Sequence, residues 1–216
     1  MIKNVFLDFN GTIIDDLDLC LKLLNKLLLS QNKKEISLER YREIFTFPII
    51  KYYEAAGIDF SIEPFDSLAI KFIKEYQPAS LKCSLFPCVI DTVKCLKEKG
   101  VRVFILSASE KNNLLEQCKH FKIDSYFDDI LGIDNIHAGG KIDIAKRYIE
   151  QNSLNLSETV FIGDTLHDYE VALAMGVSCR LVSCGHQSIE RLKKANVPIY
   201  SDISGILKEF DYYDIN

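Results

Sequence analysis

The seven cysteines of this 216-residue chain include no Cys-x-x-Cys pair, and its four histidines fall at no metal-ligand spacing. Cys20, Cys83, Cys88, Cys95, Cys118, Cys179 and Cys184 are scattered and odd in number, which argues against a disulfide frame or a zinc cluster and for reduced thiols. Basic charge is in deficit: 26 Lys and Arg face 31 Asp and Glu, giving a net −5 and a pI near 5.4. That balance speaks against a nucleic-acid partner. The longest apolar cluster, Leu19 to Leu29, is interrupted by Lys22, Asn25 and Lys26 and is too short and too polar to span a bilayer. The start shows no succession of basic region, apolar stretch and small-residue cleavage site. There are no internal repeats and no low-complexity tracts. These absences set the expectation of a soluble cytoplasmic protein, monomer or homodimer, that binds neither membrane nor nucleic acid.

What is present is a globular composition, 48% hydrophobic, with a regular alternation of pattern. Short apolar runs at Lys3–Phe9, Val101–Leu106, Asp129–Gly132, Thr159–Ile162 and Cys179–Val182 read as strands buried on both faces. Helical patterns lie between most of them: Pro87–Lys99 (closed by Gly100), Lys111–Phe121, Ile142–Asn152, Leu166–Met175 (closed by Gly176) and Ile189–Ala195. Alternation of this kind implies an α/β fold, a Rossmann-like three-layer sandwich with a parallel sheet. From about Asp16 to Leu81 the alternation stops. Leu17–Ser30, Leu38–Phe45, Pro48–Ala56 and Pro64–Tyr76 all read as helices, with turns at Gly57-Ile58-Asp59 and Pro78-Ala79-Ser80. The expected organisation is a core of residues 1–15 and 83–216 and an all-helical insert of residues 16–82. Hinges are expected at the two crossings, Asp15–Asp18 and Lys82–Leu85.

Three polar residues directly follow apolar strand patterns: Asp8 after Val5-Phe6-Leu7, Ser107 after Val103–Leu106, and Asp164 after Phe161-Ile162-Gly163. In open α/β sheets ligands bind at the carboxyl ends of strands, so two acids and a hydroxyl converge on one crevice. Lys141, before a helix, and Asp168, four residues after Asp164, can join them. Taken singly, Ser107 or Ser109 also suits a helix N-cap, Asp168 a first-turn acid and Lys141 a surface lysine. His137 and His167 read as surface or rim residues.

These segments resemble the haloacid dehalogenase superfamily, which is dominated by phosphatases. Asp8-Phe9-Asn10-Gly11-Thr12 resembles its first motif, Asp-x-Asp-Gly-Thr; Ser107 in Ile105-Leu106-Ser107-Ala108-Ser109 resembles the second; Lys141 the third; Gly163-Asp164-Thr165-Leu166-His167-Asp168 the fourth. The last string is similar to that of phosphoglycolate-phosphatase-like members. The helical insert sits where a small helical cap enters in this family, between the first and second motifs. The resemblance implies Mg²⁺ held by Asp8, Asp164 and the backbone carbonyl of Asn10, with Asp168 orienting Lys141 or a metal-bound water. It implies that Asp8 attacks phosphorus of a small phosphorylated substrate and forms an aspartyl-phosphate. Ser107, the amide of Ala108 and Lys141 would hold the phosphoryl oxygens, with Gly11 and Thr12 shaping the turn beside them.

The departure from the family is Asn10, where an acid normally protonates the leaving group and then activates water. An amide can hydrogen-bond but cannot exchange that proton, and general acid–base catalysis is worth ~10²–10⁴-fold. Three consequences are expected: a preference for leaving groups that need no proton, such as acyl or aryl phosphates; a longer-lived aspartyl-phosphate; and, because Asn-Gly pairs deamidate, the return of an acid at this position. A binding or regulatory protein on the same scaffold is the competing reading. A phosphonatase would need a Schiff-base lysine such as Lys51 or Lys34, and a dehalogenase would need no metal. Substrate choice is expected in the insert, with Arg42, Phe47, Lys51, Tyr52 and Tyr53 near its turns and helix starts.

Overall fold

The computed structural model describes residues 1–133 and 140–211; His137 lies outside the described residues. The chain opens with β1 (Asn4–Leu7) and a two-residue strand, β2 (Ile14–Asp15). Four helices follow, α1 (Leu17–Ser30), α2 (Leu38–Ile44), α3 (Ile49–Ala56) and α4 (Phe65–Ser80), and then a second two-residue strand, β3 (Ser84–Leu85). The remainder alternates: α5 (Val89–Glu98), β4 (Arg102–Glu110), α6 (Lys111–His120), β5 (Asp129–Ile133), α7 (Lys141–Gln151), β6 (Thr159–Gly163), α8 (Leu166–Met175), β7 (Ser178–Val182), α9 (Ile189–Leu192), β8 (Ile199–Tyr200) and α10 (Lys208–Asp211).

Six strands form one parallel sheet in the order β5-β4-β1-β6-β7-β8. All four residues of β1 are buried, because helices cover both faces of the sheet. Val5 and Leu7 pack with Val93 of α5 and Leu114 of α6, while Phe6 packs on the opposite face with Ala145 of α7 and Val171 of α8. This is the three-layer sandwich read from the alternating pattern. From β1 the chain builds outward through β4 to β5, then returns to β6 on the other flank of β1. That reversal places the switch point of the sheet at the carboxyl end of β1, the place where open α/β sheets bind ligands.

The helices of the insert bury a hydrophobic cluster of their own, including Leu24, Leu28, Tyr41, Tyr53 and Leu68. The chain enters them through β2 and leaves through β3. These two strands pair antiparallel, Ile14 opposite Leu85 and Asp15 opposite Ser84, so both crossings lie in one short ribbon. Most element ends fall within a residue or two of their expected positions, but two readings are corrected. Pro78-Ala79-Ser80 is the last turn of α4 and not a separate turn. A proline there forfeits one backbone bond, and local anchoring offsets it: the Ser80 hydroxyl donates to the Gln77 carbonyl at 2.8 Å and accepts from Gln117 at 2.7 Å. The second correction concerns β4, which continues past Leu106 to Glu110, its register with β5 shifting between those two residues. Ser107 therefore lies within a strand rather than after one. Among the described residues no helix is long and apolar enough to cross a membrane, and all seven cysteines are free.

Leu24 is fully buried in the cluster of the insert. Leu24→Ala is expected to lower the unfolding free energy by about 2–5 kcal/mol, measured by urea denaturation. A loss under about 0.5 kcal/mol, the range of surface substitutions, would contradict this packing.

Candidate active site

The site grows from the end of β1. The Asp8 amide still bonds to the Ile162 carbonyl at 2.9 Å, and the chain then turns sharply, with the Phe9 carbonyl accepting from the amides of Ile13 and Ile14 at 2.9 and 3.0 Å. Gly11 takes φ +73° in this turn, a conformation that side chains disfavour, and a Cβ there would lie 2.4 Å from an Asp164 oxygen. The carboxylate of Asp8 is left at the lip of the sheet.

Lys141, the first residue of α7 and 5% exposed, donates to Asp8 Oδ1 at 2.5 Å and to Asp168 Oδ1 at 2.7 Å. The other oxygen of Asp168 accepts from the Thr165 amide at 3.0 Å and the Thr165 hydroxyl at 2.7 Å. Those bonds belong to the capping box that starts α8. Asp164 is wholly buried; one oxygen accepts from the His186 amide at 2.6 Å, the other from the Thr12 hydroxyl at 3.2 Å. Neighbouring glycines make room: a Cβ on Gly185 would meet Asp164 Oδ2 at 2.2 Å, and one on Gly163 would meet the Asp168 carboxyl carbon at 2.3 Å. Ser107 is buried and its hydroxyl accepts from the Ser109 amide at 3.1 Å, while Ala108 is exposed. The N-cap of α6 is Glu110, which accepts from the amides of Asn112 and Asn113, so neither Ser107 nor Ser109 caps that helix.

The electrostatics follow from burying three carboxylates around one ammonium. Burial pushes Asp8 up to about 8 against the pull of Lys141, with Asp168 and Asp164 adding repulsion. Burial likewise pushes Asp164 up to about 6. Burial favours a neutral Lys141, but Asp168 and Asp8 outweigh it and hold the ammonium charged. Asp168 is held below the usual carboxylate range, because Lys141 and the Thr165 hydroxyl outweigh its burial. Oxygens of Asp8, Asp164 and Asp168 all lie within 4.8 Å of one another. Hard, buried, anionic oxygens in excess over their cation fit Mg²⁺. A second group, Asp16, Cys20 and His186, is equally close. There burial pushes the Cys20 thiol well up, so it keeps the proton that metal binding would remove.

Asn10 faces that second group. Its amide donates to Asp16 Oδ2 at 2.9 Å and to the Tyr76 hydroxyl at 2.6 Å, and its carbonyl oxygen accepts from Ser109 at 3.3 Å. Asp16 is 1% exposed and accepts further bonds from the Gly11 amide and the Tyr76 hydroxyl at 3.0 and 2.6 Å. His186 Nε2 lies 3.2 Å from Asp16, and its Nδ1 lies 2.8 Å from the Tyr41 hydroxyl. Asp16, Tyr41, Tyr76 and His186 were not singled out from the pattern of the chain. His186 follows β7 by a few residues, so the strand-end rule applied to a fourth strand would have found it; Asp16 and the two tyrosines carry no comparable local signal.

All these groups open on one cavity of about 400 Å³, floored by Asp8, Ser107, Lys141 and Asp164 and roofed by the insert. Phe47, Tyr52 and Tyr53 line it, and Phe47 stacks on His167 with ring centroids 4.5 Å apart. Arg42, Lys34 and Lys51 do not belong to the described lining. Arg42 turns instead to the Cys184 carbonyl at 3.2 Å, while Lys34 and Lys51 are exposed. A Schiff-base lysine in the insert therefore has no support.

The chain belongs to the haloacid dehalogenase-like hydrolase family, whose model matches residues 5–182. Within that family it is a phosphatase-type hydrolase of the phosphoglycolate-phosphatase-like kind. The phosphoglycolate phosphatase of Pseudomonas fluorescens is 26% identical over 190 residues, which cover 84% of this chain and 70% of that protein. The phosphoserine phosphatase of Lactococcus lactis is 25% identical over 133 residues, 56% and 59% of the two chains. A haloacid dehalogenase-like hydrolase of Streptococcus pneumoniae superposes with a TM-score of 0.81 at 18% identity, covering 97% of this chain and 98% of its own, which establishes the fold.

The buried His186 is held up at about 9 from an ordinary 6.5, because the Asp16 carboxylate outweighs the burial that opposes its charge. A raised folded-state value means that this stabilisation is complete below about pH 6.5 and lost as pH rises through about 9. In EDTA, the unfolding free-energy gap between the native chain and His186→Gln is expected to narrow from pH 6 to pH 9.5. A gap independent of pH would mean that folding does not raise the imidazole's pKa.

Proposed function

We propose that the chain is a Mg²⁺-dependent phosphatase that hydrolyses a small phosphorylated metabolite through an aspartyl-phosphate on Asp8, in the cytoplasm, as a monomer or homodimer. The observation that carries the reading is the convergence of Asp8, Lys141, Asp164 and Asp168 at the switch point of the sheet, at one end of a cavity. Residues 16–82 act as a cap over a core of residues 1–15 and 83–216, moving on the β2–β3 ribbon.

Asp8, Asp164 and the backbone carbonyl of Asn10 would hold the Mg²⁺, which when bound supplies positive charge to a site that must accept an anionic phosphoryl group. An oxygen of Asp8 attacks phosphorus, the bond to the leaving group breaks, and the leaving oxygen departs with the electron pair. Lys141, the Ser107 hydroxyl and the Ala108 amide stabilise the charge on the phosphoryl oxygens, with Gly11 and Thr12 fixing the turn. Asp168 positions Lys141: one of its oxygens holds the ammonium and the other holds Thr165. Of the two roles open to Asp168, this geometry favours positioning over holding a metal-bound water. Water then attacks the aspartyl-phosphate, releasing phosphate and restoring the Asp8 carboxylate.

The surroundings of Asn10 give its amide a physical rationale. An acid there would lie beside the buried carboxylate of Asp16, where only one of the pair can readily ionise. The amide satisfies Asp16 and Tyr76 but leaves the leaving group without a proton donor at this position. A second reading, a ligand-binding or regulatory protein with negligible turnover, draws its support from that same bonded amide.

Phosphate release from acetyl phosphate and para-nitrophenyl phosphate, with Mg²⁺ and with EDTA, separates the two. Metal-dependent release absent from Asp8→Asn is the expected result; release no greater than that variant's would favour the binding protein. Asn10→Asp is expected to raise turnover of an alkyl phosphate about 10²-fold, and unchanged turnover would mean the proton comes from elsewhere. Burial holds protons on Asp8 to about 8 and on Asp164 to about 6, so Mg²⁺ must displace them. Mg²⁺ affinity, read by titration calorimetry, is expected to climb from pH 6 to pH 8, and a flat profile would count against these ligands.

A further inference from the structure

The part of the cavity above the phosphoryl site is walled by Phe47, Ile49, Phe65, Phe72 and Ile73. These side chains are not sealed into the core: Phe47, Ile49, Phe65 and Phe72 are half-buried, and Ile73 is 51% exposed. Apolar surface left open inside a catalytic cavity fits an apolar leaving group. The charges point the same way. Among the described residues lining the cavity the basic side chains are Lys141, His167 and His186, and each already lies against a carboxylate: Asp8 and Asp168, Glu170, and Asp16. The lining adds an exposed carboxylate, Glu110. A carboxylated leaving group such as glycolate would therefore lose its hydration against aromatic rings with no counter-charge, at a high desolvation cost.

An independent observation concerns protonation. Asn10, at the position where the leaving oxygen is normally protonated, is an amide already bonded to Asp16 and Tyr76. Asn10 then gives the leaving oxygen no proton, which favours a leaving group stable as an anion. A phenolate, like that of tyrosine, is a base of pKa ~10, and an alkoxide is several units stronger.

We propose that the substrate is an aryl phosphate, the phosphate ester of a phenol-type hydroxyl on an uncharged aromatic ring, with the ring seated among Phe47, Phe65 and Phe72. This rests on the phosphatase reading above and narrows it. The chemistry balances: Asp8 forms the bond to phosphorus, the phosphorus–phenolate bond breaks with its electron pair on oxygen, and the phenolate takes its proton from solvent. Water then cleaves the aspartyl-phosphate to inorganic phosphate.

The test compares phenyl phosphate, 1-naphthyl phosphate, benzyl phosphate, acetyl phosphate and phosphoglycolate under Mg²⁺, with Asp8→Asn as the blank. Phenyl and naphthyl phosphate are expected to exceed phosphoglycolate in kcat/KM by about 10²-fold or more, the scale of the missing acid. Benzyl phosphate, which has the ring but an alkoxide leaving group, is expected to match phenyl phosphate in KM and fall well below it in kcat. Phe72→Ala and Ile73→Glu are each expected to reduce the ratio of kcat/KM for phenyl over acetyl phosphate about tenfold by removing or charging the apolar wall. Ile73 is half-exposed, so its replacement leaves the core intact and guards against a folding defect in Phe72→Ala. Phosphoglycolate turnover equal to that of phenyl phosphate, or a ratio unmoved in both variants, would overturn the proposal while Asp8-dependent acetyl phosphate hydrolysis still upheld the phosphatase. Loss of release from every substrate would overturn both.

Discussion

Three carboxylates and one ammonium are buried together at the edge of the sheet, and much of the local architecture answers that fact. A charge removed from water is tolerated only when its hydrogen bonds and its counter-charge are replaced by the protein. Asp8 has the Lys141 ammonium; Asp164 has the His186 amide and the Thr12 hydroxyl; Asp168 has Lys141, the Thr165 amide and the Thr165 hydroxyl. These partners come from four separate stretches of chain, which the parallel sheet brings to one place. The helix that begins at Lys141 and the helix capped by Thr165 are thus held by the same cluster of charges. Protein groups alone leave an excess of negative charge, the electrostatic condition for a divalent cation or a proton to enter.

The second constraint is the join between core and insert. Asp16 stands at the first crossing and is bonded to the loop after Asp8 through Gly11 and Asn10, to α4 through Tyr76, and to the β7 end of the sheet through His186. His186 in turn reaches Tyr41 of α2. Side chains of both units therefore share one buried network within a few ångströms of Asp8. The amide at position 10 is part of that network, which explains how a residue that looks like a lesion in the motif fits its surroundings without strain.

Much of this was legible in the chain and some was not, for identifiable reasons. The apolar runs ending in Asp8 and Asp164 are legible because a strand buried on both faces must be continuously apolar and must stop at a polar lip. The Thr165-to-Gly176 helix announces itself through its capping residues. The β2–β3 ribbon was not legible, since two-residue strands are too short to carry a period. The passage of α4 through Pro78 was hidden because the compensating bonds come from Ser80 and the distant Gln117. The continuation of β4 beyond Ser107 depends on pairing with β5 after a register shift, which no local pattern records. Asp16 and His186 are 170 residues apart, and nothing in either neighbourhood indicates the other.

The glycines around the acids differ in what holds them. Gly11 has a left-handed backbone, whereas Gly163 and Gly185 are held by lack of room, each against an acidic side chain. Adding a single methyl group at either place pushes on a buried carboxylate of the candidate site, although the glycine itself carries no functional group. A saturation survey of this enzyme would thus draw the outline of its acids twice, once at the carboxylates and once, in relief, at residues with no side chain at all.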